Sequence, residues 1–375
     1  MSDQDTAAPA LVAVAAALEA WYARAARSLP WREQTADPYA VWLSETMLQQ
    51  TRVETVLGRY DRMLERFPDV EALAAADEAE VLAAWEGLGY YRRARQLHAA
   101  ARRIVADHGG RLPDDPGRLA QLPGFGPYMT AAVASIAFGA RLPATDANAV
   151  RVLARLAALE APAGSSALLA TTRALHQGLV DACRSPARLN QALMDLGAGP
   201  CGRRPRCDVC PLATHCAAFG RGGSALAATF PRRRPARPRP VRSVAMAVVE
   251  AEGAVLAARR PPGLLGGLWA LPAAEAAGED EAEAHLALTR ALRAEWGAPA
   301  GRAPAPVEVG AFTWTFTHRL WRVRVYALHP PRRWRPPFGR WLDREERATL
   351  AFGGPDRRAL GLAGAEAPAA STQPP

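Results

Sequence analysis

The chain has 375 residues, 49% of them apolar, enough for a globular protein of two domains with cores of their own. Its formal net charge of +9 calls for an acidic partner, and nucleic acid is the first candidate. The acidic start, Met-Ser-Asp-Gln-Asp, is not a signal-peptide n-region, and the apolar run from Leu11 is broken at Glu19, so a soluble, intracellular chain with no membrane segment is expected.

Residues 11–26 read as an Ala-rich amphipathic helix carrying Leu11, Val14, Leu18 and Tyr22. Leu29-Pro30-Trp31-Arg32 follows. Asp37-Pro38 then signals a helix start, and this helix runs from Tyr39 to about Gln50. Glu45 lies one turn from Val41 and from Leu48. If that face is buried, its carboxyl stays protonated near neutral pH; if it is a helix edge, Glu45 is an ordinary solvated acid. Gln49-Gln50-Thr51 closes the helix with amides suited to base edges. Helical patterns continue over 53–67, 70–76, 78–86, 92–108 and 116–122. Gly87-Leu88-Gly89-Tyr90-Tyr91 interrupts them beside Arg92, Arg93 and Arg95. Such a group either stacks bases and holds phosphates or is core tyrosine with solvated arginine.

Leu122-Pro123-Gly124-Phe125-Gly126 separates two helical patterns. It is either a tight turn joining packed helices or a backbone site for one phosphate at the start of the next helix. Thr145-Asp146-Ala147-Asn148 opens a further helix over 149–156. Asp146 suits its N-cap, and the helix N-terminus favours the ionised carboxylate. Helical patterns resume over 168–183 and 189–196, so the chain reads as all α to this point.

Cys201, Cys207, Cys210 and Cys216 then follow with spacing C-x5-C-x2-C-x5-C. In a reducing compartment this compact set points to metal. It lacks the second CxxC pair of a zinc finger, which leaves zinc as the alternative and an iron–sulphur cluster as the better match. Cys183 stands apart as a core residue. Residues 230–242 form a Pro/Arg-rich linker. Beyond it the periodicity changes. Residues 244–250 and 254–259 flank Glu252-Gly253 as a hairpin, 281–296 is a helix, and Phe312, Trp314 and Phe316 alternate in a strand whose partner is 320–328. This is an α+β domain. A disordered tail is expected over 362–375.

LPWR at 29–32, WLSETMLQQTRV at 42–53, GLGYYRRAR at 87–95, LPGFGPY at 122–128, TDANAVRVLAR at 145–155 and NQALMDLGA at 190–198 occur in one order, followed by the cysteine set, RPPGLLGGLWALP and FTH. The ordered set resembles adenine DNA glycosylases of the MutY type over nearly the whole chain. The resemblance implies an all-α helix-hairpin-helix glycosylase domain (1–229) with an iron–sulphur loop at 201–216, then a Nudix-like α+β domain (243–361) that recognises 8-oxoguanine. It implies base-excision repair of adenine opposite 8-oxoguanine or guanine in duplex DNA, with the adenine flipped from the stack.

By the same resemblance Glu45 is the general acid and Asp146 the carboxylate that stabilises the oxocarbenium ion, with Tyr128 and Asn148 supporting it. Arg32 and Gln191 resemble adenine-pocket residues. Gln50, Thr51, Leu88 and Tyr90 resemble the wedge and the contacts around 8-oxoguanine, and Gly124 and Gly126 offer amides to a phosphate. Phe316, Thr317 and His318 stand where the family usually has Phe-Ser-His. Cys201, Cys207, Cys210 and Cys216 would hold a 4Fe–4S cluster. The family also allows a monomer in the bacterial cytoplasm, at the nucleoid, with a sliding clamp or a mismatch-repair protein as partner.

Two departures stand out besides Thr317. The first cysteine gap is one residue shorter than usual, which alters the loop at 203–206. Ala147 replaces a usual Gly, which would be strained if its φ were positive. No GX5EX7REUXEEXGU box is present, so Nudix hydrolysis with Mg²⁺ is not expected. The chain contains no lysine, whereas related glycosylase/lyases place a lysine nucleophile where this chain has Tyr128. A Schiff base needs an amine, so a monofunctional glycosylase is expected.

Overall fold

The computed structural model describes residues 3–33, 37–234, 238–276, 278–299 and 305–365. The chain divides into two compact units, residues 1–75 with 96–236 and residues 76–95 with 237–375. The helical domain expected over 1–229 therefore gives up the segment 76–95, glycine loop included, to the second unit.

The first unit is helical. It contains α1 (Asp3–Ala25), α2 (Pro30–Glu33), α3 (Pro38–Leu48), α4 (Val53–Arg66) and α5 (Val70–Ala75). After α6 (Glu78–Ala84), which lies in the second unit, α7 (Arg92–His108) leads back into the first. There follow α8 (Pro116–Leu119), α9 (Pro127–Phe138), α10 (Ala147–Leu156), α11 (Ser166–Ala182), α12 (Pro186–Ala198) and α13 (Ala217–Ala227), the last broken at Gly222 and Gly223. Caps fix the starts that matter. Asp37 accepts from the Tyr39 amide with Pro38 at the first position, and Asp146 accepts from the Ala149 amide. Val14 and Leu18 of α1 pack with Val152 and Leu153 of α10, Leu179 of α11 and Leu193 of α12. A second cluster joins Val41 of α3 to Ala132 and Ile136 of α9, and Trp42 meets Phe125 at 5.7 Å between ring centroids. These two cores fix α3, α9 and α10, which carry the candidate catalytic residues, and α12, which carries Gln191.

The second unit adds β1 (Val241–Ala251), β2 (Ala254–Arg259), β3 (Trp269–Ala270), β4 (Ala273–Glu275), α14 (Glu281–Ala294), β5 (Val307–Thr315), β6 (Leu320–Leu328), β7 (Arg340–Leu342), α15 (Arg344–Thr349) and α16 (Gly354–Leu362). The sheet order is β3-β2-β1-β6-β5, with β4 paired to β1 and β7 to β2. β1 and β6 run parallel, Val241 opposite Leu320 through Val249 opposite Leu328. Alternation sorts β1 between two faces. Val244, Met246 and Val248 pack with Leu360 of α16, while Ala245, Ala247 and Val249 pack with Leu288 and Leu292 of α14. The β1–β2 turn is Glu252-Gly253, both at positive φ (52° and 72°), as a two-residue hairpin turn requires.

The linker is shorter than its composition suggests. Phe230 is buried in the first unit, and the Ala163 amide donates to the Arg232 carbonyl. At the other end Val241 and Arg242 already pair with β6. Composition marked the stretch as stiff and basic but could not show that its ends find partners. The expected tail falls mainly on 366–375, outside the described residues; Leu362 closes α16, and the Ala365 carbonyl accepts from Arg347. No helix among the described residues is long and apolar enough to cross a membrane.

Candidate active site and cysteine loop

Glu45 lies mid-way along α3 and is only 8% exposed. The sequence left open whether this face was buried; packing of α3 against α9 buries it. The Tyr128 hydroxyl, one residue into α9, donates to Glu45 Oε2 at 2.6 Å. Burial pushes the Glu45 carboxyl up to about 7, and the nearby Asp146 adds to the rise, while the Tyr128 bond and Arg32 oppose it. Burial also holds the Tyr128 hydroxyl well above its ordinary range, so it remains a donor.

Asp146 is the N-cap of α10. Its Oδ1 accepts from the Ala149 amide at 2.7 Å and its Oδ2 from Asn148 Nδ2 at 2.8 Å. The helix N-terminus is expected to favour the ionised carboxylate; burial works against it. Burial raises the carboxyl above its ordinary value, and the Ala149 and Asn148 bonds and the Arg151 charge restrain that rise. Ala147 is the first residue of α10 and is not among the residues with positive φ, so the replaced glycine costs no strain here.

Several residues that the sequence did not single out complete the site. Arg151 donates to Asn148 Oδ1 at 2.7 Å, to the Gly197 carbonyl at 2.5 Å and to the Cys201 carbonyl at 3.0 Å. Gly197 lets α12 approach α10, since a Cβ there would fall 2.5 Å from Asn148 Cβ. Thr145 Oγ1 and His176 Nδ1 are 2.9 Å apart, anchoring the residue before Asp146. Asp195, only 3% exposed, accepts both Arg32 nitrogens at 2.7 and 2.8 Å and Arg27 Nε at 2.8 Å. Tyr22 donates to Gln191 Oε1 at 3.1 Å, and Arg32 lies over the Tyr22 ring. Arg32 and Gln191 thus share one polar network. A charged residue on the mostly apolar face of α12 was the one available signal for Asp195.

Gln50 follows α3 at φ 57°, exposed, with Thr51 beside it. Gly124 has φ 83°, while Gly126 is the extended N-cap of α9. In the second unit, Leu88 is buried (4% exposed) and Tyr90 is 45% exposed at φ 49°. The alternation predicts that Phe316 ends a strand, but β5 stops at Thr315, before Phe316, Thr317 and His318. They form instead the turn between β5 and β6, closed by the Phe316 amide on the Arg319 carbonyl at 2.9 Å. Phe316 packs edge-on to Trp321, and Thr317 and His318 are exposed.

The four cysteines line one pocket, together with Arg155, Pro200, Pro205 and Phe219. Two short 3-10 turns, Cys207–Val209 and Ala213–His215, present Cys207, Cys210 and Cys216. Arg155, 2% exposed, binds the carbonyls of Cys201 and Gly202 and reaches Cys201 Sγ at 3.3 Å. Among the described residues no three His, Cys, Asp or Glu side chains form a group able to hold a metal ion. Cys183 lies in the α1–α12 core, as expected.

Residues 43–174 match the model of the HhH-GPD superfamily of base excision DNA repair proteins, and residues 244–362 match that of the NUDIX domain. The chain is 36% identical over 385 residues to the adenine DNA glycosylase of Rattus norvegicus, covering 88% of this chain and 73% of that one. It is 35% identical over 392 residues to the adenine DNA glycosylase of Homo sapiens, covering 89% and 71%. It is 42% identical over 196 residues to the adenine DNA glycosylase of Mycobacterium tuberculosis, covering 52% and 64%.

Proposed function

This chain belongs to the adenine DNA glycosylase family, and we propose that the adenine it excises is the one mispaired with 8-oxoguanine or guanine, by a monofunctional reaction that leaves an intact abasic site. The observation that carries the chemistry is the contrast between two carboxyls. Burial raises both, but Glu45 reaches about 7 beside a tyrosine donor, whereas at Asp146 the Ala149 and Asn148 bonds and the Arg151 charge restrain the rise. Paired carboxyls in unlike surroundings divide acid and anion roles between them.

In this reading Glu45 gives its proton to N7 of a flipped adenine, so that the base leaves neutral. Asp146 stabilises the oxocarbenium ion on the sugar, through an acetal-like intermediate that water resolves. This is the logic of retaining glycoside hydrolysis applied to an N-glycoside. Asn148 and Arg151 hold Asp146 in place. Tyr128 cannot form a Schiff base, and the chain offers no lysine that could. The exposed turn Phe316-Thr317-His318 is the segment assigned to 8-oxoguanine, with the Thr317 methyl loosening the fit.

The donor set suits a 4Fe–4S cluster held by Cys201, Cys207, Cys210 and Cys216. Four thiols line one pocket, and their compact spacing without a second CxxC pair favours a polynuclear cluster over zinc. When bound, the cluster would supply a rigid, electron-rich anchor for the arginine-bearing loop at 203–206.

The test is product formation on labelled duplexes carrying adenine opposite 8-oxoguanine, guanine or thymine, and thymine glycol opposite adenine, each with and without hot alkali. Strand breaks only after alkali, and only from the first two duplexes, support the proposal. Breaks without alkali, a borohydride-trapped cross-link or cutting at thymine glycol would place the chain among lyases and overturn it.

A further inference from the structure

The glycine loop at 87–91 lies in the second unit, and residues from the far end of the sequence hold both of its flanks. Before the loop, Glu86 receives a two-pronged ion pair from Arg357 of α16, Nε to Oε1 at 2.6 Å and Nη2 to Oε2 at 3.1 Å. Arg357 is itself fixed. It donates to the carbonyls of Arg347 and Leu350 at 2.9 and 2.8 Å and lies over the Phe352 ring. A bidentate, charge-assisted pair on a planar guanidinium sets direction as well as distance. At the loop's last residue the Tyr91 hydroxyl donates to the Phe352 carbonyl at 3.4 Å, and beyond it the Arg95 guanidinium donates to the Gly266 carbonyl. Gly267, at φ 76°, leaves room for that guanidinium, since a Cβ there would fall 2.5 Å from Arg95 Nη2. This gives the RPPGLLGGL stretch at 260–268 a mechanical role.

Inside the loop, Trp85 Nε1 donates to the Gly89 carbonyl at 3.0 Å and Arg93 to the Leu88 carbonyl at 3.0 Å. Tyr90 is then left exposed in the left-handed region, a conformation an L-residue keeps only when its surroundings over-determine it. The surroundings that do so include the flank contacts made by Arg357, Phe352 and Gly266.

We propose that Arg357 is a positioning residue for Tyr90. Through Glu86 the C-terminal segment sets the shape of the loop that enters the duplex, and so sets discrimination of the base opposite adenine. The inference rests on the mispair reading above. It adds to that reading a named ion pair through which the C-terminal residues act on a loop encoded some 270 residues earlier.

The experiment uses the full chain with Arg357→Ala, Arg357→Lys, Glu86→Gln and the Glu86→Gln/Arg357→Ala pair. Amide hydrogen exchange over 86–91 and single-turnover excision from adenine opposite 8-oxoguanine and opposite guanine are measured for each. Arg357→Ala should speed exchange in the loop and cut the preference for the 8-oxoguanine duplex by about tenfold, with excision opposite guanine within about twofold of wild type. Arg357→Lys should restore part of the preference, and the double variant should add little to either single one. Should Arg357→Ala fold poorly, Glu86→Gln breaks the same pair and leaves the carbonyl bonds of Arg357 intact. Unchanged loop exchange, or a preference that survives a loosened loop, overturns the proposal alone. A wild type with no preference between the duplexes overturns the mispair reading beneath it, while the exchange data still decide whether the clamp exists.

Discussion

The Tyr128 hydroxyl donates to Glu45 Oε2 across 2.6 Å, joining α9 to α3 at the buried carboxyl. The bond favours the ionised form, so it opposes the burial that lifts Glu45 to about 7. Tyr128→Phe removes that opposition. The basic limb of the single-turnover pH–rate profile should move up by about one unit. A limb that stays in place would show that the bond does not reach the titrating group.

Glu45 also weighs on stability. Its folded pKa is raised, so its contribution is fully present below the ordinary glutamate range and is lost as pH rises through about 7. The loss amounts to about 3 kcal/mol above that range. Glu45→Gln should therefore abolish excision and yet raise urea-unfolding stability at about pH 8 by up to that amount, with little change at about pH 4. Equal effects at both pH values would contradict the burial argument.

Gly197 and Asn148 touch where α12 crosses α10, and a Cβ at 197 would fall 2.5 Å from Asn148 Cβ. Gly197→Ala should push Asn148 off Asp146 and cost about 1–3 kcal/mol of stability as an overpacked contact. Excision should fall about tenfold or more through loss of a bond to a charged group. Wild-type excision by this variant would mean that Asn148 does not position Asp146.

Asp195 binds Arg27 and Arg32 from a buried position, and those bonds hold its carboxyl below its ordinary value against the opposing effect of burial. Its contribution is present above the ordinary carboxylate range and is lost as pH falls through the lowered value. Asp195→Asn should cost about 3 kcal/mol by leaving Arg32 without its carboxylate. Urea titrations at neutral and acid pH check this, and the variant and wild type should converge in acid.

Much of this was legible in the sequence. The helical period, the caps at Asp37 and Asp146, the hairpin signal at Glu252-Gly253 and the alternation of Phe312 and Trp314 in β5 placed most elements within a few residues. The helical period put Glu45 on a face with Val41 and Leu48 and the cap signal placed Asp146, but the burial of Glu45 stayed open, and the roles of both came from the family resemblance. What was not legible came from contacts distant in sequence. The bonds of Asp195 to Arg27 and Arg32 span more than 160 residues, and the Glu86–Arg357 pair spans 271. No local pattern announces such pairs. The pKa of Asp146 escaped for a related reason, since a cap is local while burial depends on the whole fold.

The most direct test of the account is the pH dependence of single-turnover adenine excision by the wild-type chain, with enzyme in excess over an adenine:8-oxoguanine duplex. If Glu45 is the acid, the rate, once Asp146 has ionised, stays level up to about pH 7 and then falls roughly tenfold per unit as the Glu45 carboxyl ionises. A rate that instead climbs to a plateau above pH 7 would make a deprotonated group essential and contradict the role assigned to Glu45.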